Sequence, residues 1–141
     1  MRTIRRIASR GILLLALVAI AAGCATAPEP PLPPPMVMRP GDFKRLAGLW
    51  YGTGYVQETA PENIQAVIYE DGAFTTQSRL PGANPIPGSM RIVNGAVQYD
   101  SQLSSGTMTF YETPTGFLWK WQGISKFGNN LAITNELTKQ K

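Results

Sequence analysis

The chain has 141 residues, a formal charge of +4, no histidine and a single cysteine, Cys24. Those counts exclude a disulfide framework, any zinc or copper site built on His or paired Cys, and a Ser-His-Asp triad. The positive charge is no argument for nucleic acid: four of the 13 Lys and Arg lie within the first ten residues, and the nine that follow are matched by nine Asp and Glu.

Arg2, Arg5, Arg6 and Arg10 precede an uninterrupted apolar run, Ile12 to Ala22, which ends in small residues. This is the layout of a secretory signal, and the run is roughly half the ~20 residues a spanning helix needs. It closes on Ala21-Ala22-Gly23-Cys24. That tetrapeptide resembles the lipobox of bacterial lipoproteins, with Ala21 where Leu is commoner. The resemblance implies cleavage before Cys24 and acylation of its sulfur and new amino group. A membrane partner would then be held through those acyl chains, since more than one chain is needed for stable anchoring. Ala25, where an Asp would signal retention, implies by resemblance to enterobacterial sorting a location on the outer membrane facing the periplasm.

Residues 1–23 are therefore expected to be a signal peptide, 24–41 a lipid-anchored Pro-rich linker and 42–141 the folded domain. Pro28 to Pro40 carries seven prolines, a composition that favours a stiff polyproline II spacer of ~3.1 Å per residue. Asp42 is placed to cap one helical turn, Phe43 to Ala47.

From Leu49 the pattern alternates with period two. It predicts eight short antiparallel strands: 49–57, 64–69, 73–80, 89–93, 96–101, 107–112, 117–122 and 131–137. Trp50, Ile64, Phe74, Met90, Val97 and Phe110 exemplify a buried face, and Thr53, Gln65, Thr75, Arg91, Gln98 and Thr109 a wet one. Val67, Tyr69, Val93, Tyr111 and Leu118 fall on the wet side of this alternation. Asp71-Gly72 and Asn94-Gly95 predict two-residue hairpins with positive φ at both central positions. The segment from Pro81 to Gly88, with three prolines, is expected to cross one end of the sheet as a lid or rim.

An eight-stranded meander with one apolar face removes its edges by closing into an up-and-down barrel. The fold class read from the chain is therefore all-β, a small eight-stranded antiparallel meander barrel or rolled sheet. Gly48-Leu49-Trp50, after a short helical turn, resembles the Gly-x-Trp opening of lipocalins and avidins, the calycin barrels. In that family the Trp plugs one end.

No catalytic constellation or cofactor motif is visible. Glu70 and Asp71 are adjacent but sit at a hairpin tip, and the remaining carboxylates are scattered. The chain is therefore expected to be no enzyme and to need no cofactor or metal. Phe117-Leu118-Trp119-Lys120-Trp121 places three rings on one face. These rings are expected to fill a barrel of such short strands; the alternative makes Trp50, Trp119, Trp121, Tyr99 and Phe110 the wall of a ligand site. Two functions follow. One is an envelope lipoprotein that binds a protein or cell-wall partner, the other a calycin-type carrier of a small apolar molecule. Ser104-Ser105-Gly106 followed by Tyr111 resembles the Ser-Gly loop of lysozyme-inhibitor lipoproteins, whose cysteine pair and Thr-Lys-Gly motif this chain lacks.

Overall fold

Alternation at period two requires that one face of every strand leave water, and eight such strands in sequence do so around one axis. The structure, a computed structural model, describes residues 30–57, 59–128 and 130–140. The leader, the lipobox with Cys24 and the first residues of the Pro-rich segment lie outside them. A short helix, α1 (Asp42–Leu46), leads into β1 (Gly48–Val56), β2 (Glu62–Ile68), β3 (Ala73–Ser78), β4 (Ile86–Val93), β5 (Ala96–Ser101), β6 (Ser104–Thr113), β7 (Gly116–Ser125) and β8 (Ala132–Gln140). Each strand pairs antiparallel with its sequence neighbours, and β1 pairs with β8, so the sheet closes into a barrel. The closing seam sets Gly52 opposite Leu137 and Gly54 opposite Asn135.

Several strands run longer than the apolar pattern predicts. β4 begins at Ile86 and takes in the last three residues of the expected lid, with Pro87 opposite Thr75. An antiparallel ladder uses the N–H of alternate residues, so a proline fits a position whose N–H is not needed. β6 and β7 each have ten residues. Ser104-Ser105-Gly106 is thus the start of a paired strand and not a loop, and Ser104 is buried. Leu118, placed on the wet face by alternation, is buried at 6% exposure, flanked by its cross-strand neighbours Tyr111 and Thr138.

The turns divide. Asn94 (φ 52°) and Gly95 (φ 79°) both take the left-handed conformation, as a two-residue hairpin with strand-matched twist requires. Asp71-Gly72 instead has positive φ only at Gly72, whose N–H donates to the Tyr69 carbonyl at 3.1 Å. That is a type I turn followed by a left-handed glycine, and the Asp71 carboxylate stiffens it by accepting from the Ala73 N–H at 2.9 Å. Nor does Asp42 cap α1 as expected: Gly41 is the N-cap, and the Asp42 carboxylate accepts from the Arg39 N–H at 2.8 Å.

The hairpins β2–β3, β4–β5 and β6–β7 share one end of the barrel, and α1 with the preceding segment seals that end. Phe43 and Leu46 are buried beneath it, and the Trp50 indole N–H donates to the Leu46 carbonyl at 2.9 Å. From β8, Lys139 Nζ donates to the carbonyls of Arg45 (3.1 Å) and Ala47, which places a cation at the C-terminal end of the short helix. The structured unit also starts upstream of Asp42, at Leu32. The Met36 N–H donates to the Phe110 carbonyl (2.8 Å) and the Met38 N–H to the Gly95 carbonyl (3.0 Å). Met38 is 4% exposed and Met36 packs against the core. The end of the Pro-rich segment is therefore part of the barrel floor, because methionines at 36 and 38 gain more from burial than from extension in water.

Within the closed half the rings interlock. Trp119 stacks on Phe110 (5.6 Å between centroids, 23° between planes) and meets Trp50 edge-on at 5.6 Å and 83°. Phe74 reaches Trp119 and Trp121 edge-on at 6.2 and 5.7 Å. Its ring occupies the space beside Gly88, where an added Cβ would lie 2.3 Å from Cζ. Truncating the plug, Trp50→Ala, is expected to cost about 3–5 kcal/mol of unfolding free energy. Trp50→Phe should cost less but still leave the Leu46 carbonyl without its donor. Denaturant unfolding of both variants, followed by far-UV circular dichroism, checks the order.

Candidate functional site: the open mouth

At the opposite end of the barrel the inward side chains become small and polar. Where Trp50, Phe74, Phe110 and Trp119 fill the closed half, the corresponding positions nearer the other rim are Gly54, Thr76, Ser104 and Asn135. The alternation that buries the rings also buries these, because residues two apart on a strand share a face. The result is a cavity of about 140 Å³ to which all eight strands contribute. Its apolar lining includes Ile64, Ile86, Ile133 and one face of Trp121, and its polar lining includes Thr76, Ser101, Ser104 and Asn135.

Of the five aromatic residues expected at a ligand wall, only Trp121 lines this cavity. Trp50, Trp119 and Phe110 have no exposure at all and form the packed floor, so the expectation of a filled barrel holds for the closed half alone. Tyr99 is buried between the two regions, meeting Trp121 edge-on at 4.8 Å. Thr76 and Asn135 in this lining were not expected from the sequence, and Ser104 was expected only in a Ser-Gly loop. Their signal was present: each is a small or polar residue on a face otherwise made of large apolar side chains.

The polar groups of the mouth fall into two sets. One set is satisfied. The Tyr99 hydroxyl donates to Ser104 Oγ at 3.1 Å, and the Ser101 hydroxyl donates to the Ser104 carbonyl at 3.0 Å. The Ser104 N–H donates back to Ser101 Oγ at 3.1 Å. Lys126 Nζ clamps the same corner from the β7–β8 connection, donating to the Ser101 carbonyl at 2.7 Å and pairing with Asp100 at 2.6 Å. The other set takes no part in those bonds. The Trp121 indole N–H is buried without a hydrogen-bond partner; it lies near enough to the Tyr99 phenol to favour its ionised form but outside hydrogen-bonding geometry. Asn135 and Thr76, both 8% exposed, line the cavity, and their polar atoms, unlike the indole nitrogen, are not sealed from water. Asn135 reaches this position only because Gly54 opposes it: an added Cβ at Gly54 would lie 1.9 Å from Asn135 Oδ1. Trp119 Nε1 is also unpaired, deep in the floor, where aromatic faces are weak acceptors.

Charge is sparse. Glu62 is the one charged side chain of the lining, and it accepts from the Ser78 hydroxyl at 2.8 Å. The rim and the outer wall beside it are apolar: Leu80, Phe127 and Ile124 are more than half exposed, and Tyr55 and Leu103 nearly so. Among the described residues no three His, Cys, Asp or Glu side chains gather as metal ligands. A polar cleft on the outside of β4–β6 is spanned by the Arg91 to Gln98 hydrogen bond at 3.2 Å and contains no unpaired buried group.

Comparison with known proteins finds no matching family model, no matching curated protein and no matching solved structure.

Burial pushes the Tyr99 phenol above its ordinary value of 10.0, outweighing the hydrogen bond to Ser104 that acts in the opposite sense. A group that holds its proton more tightly when folded stabilises the fold below its unfolded pKa, and that contribution is lost as pH rises through the folded one. Unfolding free energy is therefore expected to fall above pH 10, and Tyr99→Phe should lessen the fall. Denaturant titrations at pH 8, 10 and 11 on both proteins measure it.

Proposed function

We propose that this chain is a non-enzymatic, lipid-anchored envelope protein whose barrel binds a small, largely apolar molecule in its open mouth. The observation that carries the reading is the cavity of about 140 Å³, close in size to the ~150 Å³ apolar cavities that take up a benzene-sized guest. A few polar groups converging on a concave apolar site are the usual form of a small-ligand pocket. The Gly-x-Trp opening, with Trp50 as the plug of the closed end, is consistent with a calycin-like barrel. The Pro-rich segment joins the barrel at the closed end through Met36 and Met38, so a tether running from Cys24 leaves the mouth unobstructed by its point of attachment.

A second reading has its own observation. The exposed apolar rim of Leu80, Leu103 and Phe127 suits contact with a protein or cell-envelope partner, for which desolvated aromatic and aliphatic side chains are the usual anchors.

Two measurements test the proposal. Titration of the full-length protein in detergent with benzene, followed by NMR, should shift the methyl resonances of Ile64 and Ile133 and leave those of Val97 in place. Thr76→Phe, which fills the mouth, should abolish the effect; an absence of any mouth shift in the wild-type protein removes the ligand-binding reading. Cys24→Ser should end incorporation of labelled palmitate and move the protein from the membrane to the soluble fraction. Continued labelling of that variant removes the anchor.

A further inference from the structure

Glu62 is the one ionised side chain in the mouth, and on the reading of that cavity as a small-molecule site its charge bears on which molecule enters. Along β2, Ile64, Ala66 and Ile68 face inward and are buried. Period two puts Glu62 on the same face, one step nearer the rim than Ile64. It is exposed there, so its carboxylate meets solvent on one side and the apolar cavity on the other. Its cross-strand neighbour on β1 is Gly54, which has no side chain to cover it. From β3 the Ser78 hydroxyl donates to Oε2 at 2.8 Å, a bond that uses one carboxylate oxygen of the two.

The cations at this end of the barrel are engaged elsewhere. Lys126 pairs with Asp100 at 2.6 Å and donates to the Ser101 carbonyl at 2.7 Å. The Arg79 guanidinium lies over the Tyr51 ring, 5.8 Å from its centroid, on the outer side of the wall. No Lys or Arg is among the described residues that line the cavity. None of the ion pairs among the described residues includes Glu62.

Beneath the carboxylate the site is apolar and small, with Ile64, Ile86, Ile133 and Trp121 in its lining. About 140 Å³ accommodates a six-membered ring and not an extended acyl chain. A head group on such a ring emerges at the rim, at the level of Glu62. A carboxylate there would meet a like charge with no cation in the lining to offset it. An ammonium would meet an opposite charge and keep its contact with water, which spares it the cost of full burial. We infer that the mouth takes a ring-sized apolar molecule with a cationic amine head, paired with Glu62, and discriminates against the corresponding carboxylate.

Three rings of similar size test it on the full-length protein in a non-ionic detergent at pH 7: cyclohexylamine, which is an ammonium at that pH, methylcyclohexane and cyclohexanecarboxylate. Binding is followed through the methyl resonances of Ile64 and Ile133. The ammonium is expected to bind about two- to fivefold more tightly than the carboxylate, the range of a partly solvated ion pair. The chain as a whole carries +4, which disfavours a cation, so such a preference has to arise locally. Raising the salt from about 10 mM to about 500 mM should remove most of it. Glu62→Gln still offers Ser78 an acceptor and should bring the two charged rings to similar affinity, with methylcyclohexane binding unchanged as the sign of an intact cavity. The salt series needs only the wild-type protein if that variant does not fold. Equal binding of the charged rings, preference for the carboxylate, or an ammonium preference that survives Glu62→Gln or high salt overturns the inference while leaving ligand binding intact. If neither charged ring binds while benzene does, the inference falls alone; if benzene fails too, the ligand reading falls with it.

Discussion

Trp119 touches four other rings, and their packing determines how much of the barrel interior is solid. It stacks on Phe110 and on Trp121, meets Trp50 edge-on and is met by Phe74. Edge-to-face and offset contacts of this kind are worth about 0.5–1.5 kcal/mol each beyond the area they bury, so the cluster is stabilised cooperatively and resists rearrangement. It occupies the closed half from wall to wall. Everything nearer the mouth is arranged around what it leaves over.

The floor depends on the same cluster. Trp50 is both a member of the stack and the donor that holds Leu46 of the short helix, and Lys139 from the last strand meets the same helix from the other side. First strand, helix and last strand are thereby joined where the barrel closes upon itself. The closing seam is not maintained by the β1–β8 ladder alone. The floor is sealed by side chains and by the methionines of the preceding segment, and the cavity lies at the opposite end.

The transition from floor to mouth is a matter of residue size at equivalent inward positions. Along β3 the inward residues pass from Phe74 to Thr76, along β6 from Phe110 to Ser104, and along β8 from Leu137 to Asn135. Each step exchanges a large apolar side chain for a small polar one, and no residue elsewhere moves in to compensate. Tyr99 and Trp121 mark the boundary: both are buried, yet the phenol is tied to the Ser104 corner and the indole forms part of the cavity wall. Asn135 belongs to the lining of the cavity and not to the packed floor.

Much of this was legible in the chain. Alternation from Trp50 to Leu137 determined an all-β meander, which side of each strand is buried, and closure as the way to remove its edges, because a period of two is a local property of the backbone. Hairpin chemistry was legible where one residue pair suffices, as at Asn94-Gly95. It was misread at Asp71-Gly72, where the preceding residues complete a different turn. The aromatic residues were recognised, but not which of them fill and which line, since that depends on how high each stands along the barrel axis. Strand register alone decides this: it brings Asn135 beside Trp121 and opposite Gly54, residues far apart in the chain. The same long-range pairing drew Met36 and Met38 into the floor, whereas their sequence context of prolines pointed to an extended spacer. Local periodicity thus determines the wall of the barrel, and the non-local registration of its strands decides where that wall encloses a cavity.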